Sequence, residues 1–497
     1  MIFDYVVVGG GTAGAVLAAR LSEDPSVTVG LIEWGPDDRP EPRALQVRRW
    51  SEMMEGEYDL DYRSVPQQRA NSGIRQARAR ILGGCSSHNT MIALRPPDED
   101  FDGWAAAGAS GWDAAAMGPY FGKLATNILP VAKQHRNAYL EDAITTAGRE
   151  LGIPVIDGWN ATPWRDGTGF LDIGYYPDTG IRSSASVDYL HPVMDHRPNL
   201  TVLLSTRVLR IEFDAARRAS GVLVRREGGD TATLQARREI ILCAGAIDTP
   251  RLLLLSGVGP GDDLRRLGIP VIQDLPGVGQ NLMDHVEGLL VWEATRSLPP
   301  EGATDWDAAV VVPEVLIHIP LMTYAVHAEH LGCVLPEHTI SMTPNVTRPR
   351  SRGAVSLASP DPDAAPLIDY RYFTDPDGHD ERTLIRGIRL ARRIAAAEPM
   401  AGWVAREIFP GREAVTDDEI SELARAACNT VYHVSCTTRM GAADDPMAVL
   451  DPLLRVRGVS GLRVADASAF PRLTTVNPVV AVLMLAERAA DLIQLRS

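Results

Sequence analysis

The sequence predicts a two-domain α/β protein: a Rossmann-like dinucleotide-binding domain on a parallel sheet, and a second domain rich in antiparallel strands. Three observations carry this. Residues 3–33, FDYVVVGGGTAGAVLAARLSEDPSVTVGLIE, read as strand, glycine-rich turn, helix and strand. A second apolar strand, EIILCAG, and an apolar stretch near the C-terminus, TVNPVVAVLMLAERAADLI, return to that style. Between them, residues 292–427 hold scattered strand patterns that break it. At 497 residues the chain is too long for one compact core.

The first stretch is the most informative. Tyr5 to Val8 is a β-branched run of one buried strand's length. Gly9, Gly11 and Gly14 follow at G-x-G-x-x-G spacing, and Ala15 to Leu21 reads as a helix with an apolar face. The first glycine permits the tight turn, the second lets backbone approach a pyrophosphate, and the third lets helix pack on strand. Val27 to Ile32 is the next strand, ending in Glu33. A carboxylate about 20 residues beyond the turn can bind a ribose hydroxyl pair. These residues leave NAD and FAD equally open.

Further along, Ala44 to Met54 is expected to be a short helix carrying Trp50, and Phe101 to Leu124 to hold three helical pieces. Arg78 to Asn89, RARILGGCSSHN, is a loop with many backbone N–H groups and little bulk, suited to close approach by a large ligand. Asn137 to Leu151 reads as a helix with a polar outer face. Leu200 to Phe213, Ala219 to Arg225 and Thr233 to Cys243 read as strands. The next helix takes Pro250 in its first turn, where proline is tolerated. Val310 to Ile319 and Gly353 to Leu357 are expected strands of the second domain, Glu381 to Glu398 and Asp417 to Ala427 its helices.

The totals exclude several classes. A composition of 45% hydrophobic and 23% charged residues is ordinary for a globular enzyme. A net charge of −15 argues against nucleic acid or an anionic membrane as partner. The five cysteines are scattered without a C-x-x-C pair, so neither a disulfide framework nor a zinc site is expected, and no metal. No apolar run reaches membrane-spanning length. The start runs straight into the fold without a leader pattern, which makes the cytoplasm the expected address.

Several separated motifs then agree. They are the N-terminal fingerprint, RILGGCSSHN at 80–89, GAIDTPR at 245–251 running on to LLSGVG at 254–259, PGVGQNLMDH at 276–285, SRGAV at 351–355, and LRVADAS with TVNP at 462–478. On these the chain resembles, from end to end, the glucose–methanol–choline (GMC) oxidoreductases, FAD enzymes that oxidise alcohols. SSHN at 86–89, DHVEG at 284–288, YFTDPDGHD at 372–380 and NTVYH at 429–433 make it most similar to the choline-oxidising members.

The resemblance implies an FAD domain from residues 1–157, 198–290 and 431–497, and a substrate domain from 158–197 and 291–430 with a six-stranded antiparallel sheet. Gly9, Gly11, Gly14, Glu33, Gly84, His88, Asn89, Ala244, Asp466, Asn477 and Pro478 would hold the cofactor, with Val208 at the adenine. His88 would link covalently to the flavin's 8-methyl position. His433 and Asn477 match the pair that holds the substrate oxygen, and His318 a further pocket histidine. Histidine can take the hydroxyl proton near neutral pH, while asparagine can only donate a hydrogen bond.

Glu287 matches the carboxylate facing a trimethylammonium group, and Trp50 and Tyr432 match walls of an aromatic cage. One departure is expected to matter: a cage tryptophan is replaced by Asp307 in Asp305-Trp306-Asp307, which would suit an amine with N–H donors or a larger polar alcohol. The implied activity is an alcohol oxidase. It would transfer hydride from a choline-like or other cationic or polar primary alcohol to flavin N5. Oxygen would then be reduced to hydrogen peroxide, with aldehyde, or acid after a second round, as product. Val431, before Tyr432, matches a small apolar residue that favours oxygen access. Two alternatives stay open: a dehydrogenase with another electron acceptor, and a hydroxynitrile lyase that shares the fold without redox chemistry. A homodimer is implied.

Overall fold

A computed structural model describes residues 1–71, 73–325 and 327–495. Two sheets, each with its own apolar core, organise them. The first has seven strands. Thr206–Phe213, Ala219–Arg226 and Thr231–Leu242 form an antiparallel meander, and Thr231–Leu242 then pairs in parallel with Ile2–Val8. Val29–Ile32 and Leu200–Leu203 continue the parallel part, and Leu462–Val464 pairs beside Ile240 to Leu242. The long strand Thr231–Leu242 does two jobs because its sequence changes character. TATLQARR alternates and meets the half-exposed meander, whereas EIIL is apolar and sits in the parallel core.

The helix Thr12–Leu21 is apolar almost throughout and packs against the C-terminal helix Val479–Gln494. Arg20 locks the two together, donating through Nε and Nη2 to both oxygens of the buried Glu487 at 2.9 and 2.8 Å. The pair is well satisfied, since Tyr189 also donates to Glu487 at 2.9 Å. The N-terminus and the far C-terminus therefore share one core.

The second sheet runs Val404–Phe409, Leu290–Ala294, Thr339–Val346, Val315–Ile319, Ala308–Val312, Gly167–Phe170, antiparallel at each step. This is the expected six-stranded sheet. Two short strands, Val286–Glu287 and Asn429–Thr430, pair with each other on its flank, and Glu287 also pairs with Asn345. They bring two distant stretches of chain together where Glu287, Tyr432 and His433 are needed.

Some expectations are refined. Val310 to Ile319 is a hairpin, because Pro313 cannot donate to a ladder and Glu314 turns at φ +65°. Leu200 to Phe213 breaks at Ser205, φ +46°. Phe101 to Leu124 holds two helices, within Asp98–Ala106 and Ala114–Gly122, where three pieces were expected. Ala44 to Met54 is a four-residue α-turn, Pro42–Leu45, followed by a 3-10 segment, Val47–Met53. The helix Ala138–Arg149, on the dinucleotide side of the expected boundary at 157, buries Tyr139, Leu140, Ala143 and Ile144 in the second core. Among the described residues no helix is long and apolar enough to cross a membrane, and all five cysteines are free.

Candidate active site

One elongated cavity of about 700 Å³ runs between the two cores. Its walls include Gly9, Gly11, Glu33 and Val208 at one end, Gly84, His88, Asn89, Ala244, Asp466 and Pro478 along its length, and Trp50, Glu287, His318, Tyr432, His433 and Asn477 at the other. Sixteen residues chosen from separate motifs thus meet around a single space. Gly14 and Asp307 lie outside it.

At the nucleotide end the glycines work as the motif requires. Gly9 turns at φ +99°, and a Cβ there would meet Cys243 O at 2.6 Å. A Cβ on Gly14 would lie 1.8 Å from Gly9 O, so this glycine serves helix-on-strand packing rather than the cavity wall. Gly84, φ +52°, faces Gly11 so closely that its Cβ would meet Gly11 Cα at 2.7 Å. Glu33 is buried, with Gly10 N donating to Oε2 at 2.8 Å and Gly35 N to Oε1 at 2.7 Å. Burial still pushes its carboxyl up to about 7. Trp34, also on the wall, lies between the guanidinium groups of Arg207 and Arg80, 4.0 and 5.4 Å from its ring centroid.

The middle is a rigid loop. Arg182 has no exposed surface, and its Nη1 donates to the carbonyls of Ser86 at 3.1 Å and Asn89 at 2.7 Å, gripping the chain on either side of His88. Asn89 Oδ1 accepts from Met91 N at 3.0 Å. His88 is 8% exposed, and its Nε2 is buried without a hydrogen-bond partner at the cavity wall. Cys85 stands beside it. Burial raises the thiol, but Arg78 and His88 outweigh that and bring it down to about 6. Asp466 is held by Gly245 N at 2.9 Å and Thr249 Oγ1 at 2.6 Å on one oxygen, and by Ser468 on the other.

At the far end the geometry fixes a tautomer. The Thr347 carbonyl can only accept, so His285 Nε2, 3.1 Å away, carries a proton. Burial keeps His285 neutral, down to about 4, and its Nδ1 is therefore bare. That atom lies 2.8 Å from His433 Nδ1, which must then hold the proton between them. His433 is also neutral, held well below its usual value by burial and by the neighbouring His285, His318 and Arg78. Its Nε2 is left bare beside Asn477 Nδ2, 3.1 Å away. Asp284 fixes the backbone by accepting from His433 N at 2.8 Å, and takes further bonds from Thr430 Oγ1 and the Tyr372 hydroxyl. His318 stands near with Nε2 unpartnered, lowered to about 3 by burial and by His285.

Beyond this pair lies a box. Glu287, 4% exposed, accepts from the Tyr324 hydroxyl at 2.6 Å, and Asn429 Nδ2 donates to that hydroxyl at 2.9 Å. Trp306 stands edge-on to Tyr324 with centroids 5.1 Å apart, and 6.4 Å from Trp50. Tyr432 joins them in a left-handed backbone, φ +63°, pinned by Arg78, which donates to its carbonyl at 3.2 Å. The expectation for Asp307 is corrected here. It has no exposed surface and accepts from Ala303 N at 2.8 Å and Thr304 N at 3.2 Å. It caps its own short loop, where these N–H groups would otherwise be orphaned. Trp306 takes the cavity face, so the box keeps its aromatic wall.

Sequence reasoning missed His285, Tyr324, Trp306 and Arg182. His285 could have been found as the second half of the Asp284-His285 pair in PGVGQNLMDH. Tyr324 and Arg182 carry no local signal.

A glycine-turn cradle joined to a neutral histidine and an amide defines a dinucleotide-dependent oxidoreductase. The GMC oxidoreductase family models match residues 3–287 and 349–486. The choline oxidase of Arthrobacter globiformis is 46% identical over 99% of this chain and 94% of that protein. The mitochondrial choline dehydrogenase of Mus musculus is 35% identical over 99% and 89%. The crystal structure of pyridoxine 4-oxidase from Mesorbium loti superposes with a TM-score of 0.90 at 29% identity, covering 98% of each chain. The chain belongs to the GMC oxidoreductase family. Its dinucleotide is FAD, and the residues present fit it: Gly9 and Gly84 leave no room for a Cβ in the cradle, the cavity reaches from Glu33 to His433, and His88, its Nε2 unpartnered, lines it midway.

Proposed function

We propose that this protein is an FAD-dependent oxidase of primary alcohols that carry a cationic head, choline-like in shape. The observation that supports this most is the placing of Glu287 in a box of Trp50, Trp306, Tyr324 and Tyr432, on the same cavity as His433 and Asn477. A buried carboxylate without a counter-charge is unfavourable, and a cationic substrate supplies one. Aromatic faces around it favour a quaternary ammonium through cation–π attraction.

His433 Nε2 takes the hydroxyl proton, and Asn477 Nδ2 donates to the same oxygen. His318 lines the same cavity beside this pair. When bound, the flavin accepts the hydride and passes the electrons to oxygen as hydrogen peroxide. His88 holds the cofactor covalently in this reading, and Val431 at the cavity wall leaves a small apolar approach for oxygen. A peroxide assay in air across choline, ethanolamine derivatives, amino sugars and aromatic alcohols tests it. Choline should give the fastest peroxide formation. Flavin reduction without peroxide would make the protein a dehydrogenase, like the mouse relative by name. Turnover without flavin reduction would point to a lyase.

A further inference from the structure

Glu287 faces its cavity with no cation to meet it. Of the guanidinium groups on the wall, Arg75 is turned to Asp59 at 3.0 Å and Asp61 at 2.6 Å, and Arg78 to the Tyr432 carbonyl at 3.2 Å. Among the described residues no Lys, Arg or His pairs with Glu287; its side chain accepts from the Tyr324 hydroxyl, which Asn429 Nδ2 in turn supports. One neutral donor does not replace the hydration that a carboxylate loses on burial. The carboxyl therefore has two ways to be stable: it holds a proton, or it holds a cation.

We propose that Glu287 exchanges one for the other: it is protonated in the empty box, and gives up its proton when the substrate's ammonium group enters. The inference rests on reading this cavity as a cationic-alcohol site, and adds that binding there is a proton-coupled event. The O–H bond of the carboxyl breaks heterolytically, the proton goes to solvent, and the ammonium charge takes its place, so charge in the box is conserved. A second small cavity, about 10 Å³, also borders Glu287, with Tyr324, His327 and Asn429 on its walls.

The neighbouring groups leave the window clear. Burial places Glu287 at about 7, against the opposing bond from Tyr324. On its own stretch, Asp284 is raised to about 6 by burial and His285 lowered to about 4. From the sheet, His318 is lowered to about 3. From the 320–328 loop, the Tyr324 phenol is raised far out of range and His327 lowered, both by burial. From the other flanking strand, Tyr432 is raised to about 12 and His433 lowered. Arg75 stays charged. Of these groups around the box, only Glu287 has its midpoint between pH 6.5 and 8.5; Glu33 and Asp307, also raised to about 7, sit respectively at the nucleotide end of the cavity and outside it.

The test is titration calorimetry of the flavin-loaded protein with ethyltrimethylammonium, which has the cation but no hydroxyl to oxidise. It is run in two buffers of different ionisation enthalpy. At pH 6 binding should release roughly 0.9 proton, at pH 8.5 fewer than roughly 0.1, with affinity about tenfold weaker at pH 6 than at pH 8. Glu287→Gln should abolish the release while any remaining binding becomes independent of pH. Tyr324→Phe, which removes a bond that favours the carboxylate, should move the release window to higher pH. Binding with identical heats in both buffers at pH 6 overturns the exchange and leaves the cation site standing. Proton release that survives in Glu287→Gln assigns the proton to Asp284 and overturns it too. Absence of binding at every pH overturns the cation site itself, and the exchange with it.

Discussion

His433 is useful as a base because of atoms on three other segments. His285, Thr347 and Asn477 together leave its Nε2 bare and pointed at the cavity. Replacing His433 with Ala should lower kcat by about 10²- to 10⁴-fold with flavin content unchanged; a loss below tenfold would give the proton to another group. His285→Ala should also lower kcat, leaving the binding of ethyltrimethylammonium intact, because it removes the tautomer lock and not the box. His88→Ala should still bind FAD, but its acid-precipitated pellet should be colourless where that of the parent is yellow. A yellow pellet from the variant would refute the tether. At this scale the sequence was legible wherever a residue sits inside a motif, as with His88, His433 and Glu287. It was illegible where a partner comes from a distant segment. Tyr324 lies 37 positions from Glu287 and meets it only through the loop beyond the second sheet. Asp307 shows the converse error: a charge read as facing the substrate caps its own loop, one residue from the tryptophan that lines the cavity.

The elements were readable through periodicity, with errors at turns. The helix Asp417–Ala427 has its expected bounds because Thr416 and Glu419 form a reciprocal capping box. The 308–319 hairpin read as one strand because both arms are apolar and only Pro313 marks the turn. The two short flanking strands were invisible, since two residues have no period, yet they set Glu287 and Asn429 side by side. The first helix and strand admit a sharp test. A Cβ on Gly14 would lie 1.8 Å from a carbonyl oxygen, and backbone cannot yield there as a side chain could. Gly14→Ala should push the helix off the strand, reduce FAD incorporation severely and destabilise the protein by about 1–3 kcal/mol. Full FAD content and an unchanged melting temperature would contradict that packing role.

For the whole molecule, the two cores share a boundary lined with buried titratable groups, and their protons couple to folding. Glu33, Glu287 and Asp307 are raised to about 7 by burial, and Asp100 and Asp284 to about 6. In each, the folded state binds a proton that the unfolded chain has released, so stability is lost as pH rises through the folded value. His285, His318 and His433 are lowered, so their contribution runs the other way and is complete above about pH 6.5. The two sets oppose one another below pH 6.5. Above it the acids near 7 still lower stability as pH rises, while Cys85, lowered to about 6, raises it up to the thiol's unfolded value near 9. Ligand-free Cys85→Ser protein, freed of the opposing thiol, should therefore lose on the order of 1 kcal/mol between pH 6.5 and 8, seen as a falling melting temperature. A rise over that interval would contradict the assignment. The overall architecture was legible because its fingerprint, signatures and terminal helix are all local patterns. The extent of each domain was less so, since a helix such as Ala138–Arg149 shows an apolar face but not which core receives it.

The central claim is that a cationic alcohol reduces a flavin held between these cores. It is tested most directly by mixing the purified protein with choline in the absence of air and following the visible spectrum. The account predicts that the flavin bands bleach within the mixing experiment, and that admitting air restores them with hydrogen peroxide formed. Flavin bands that persist unchanged under choline would contradict it.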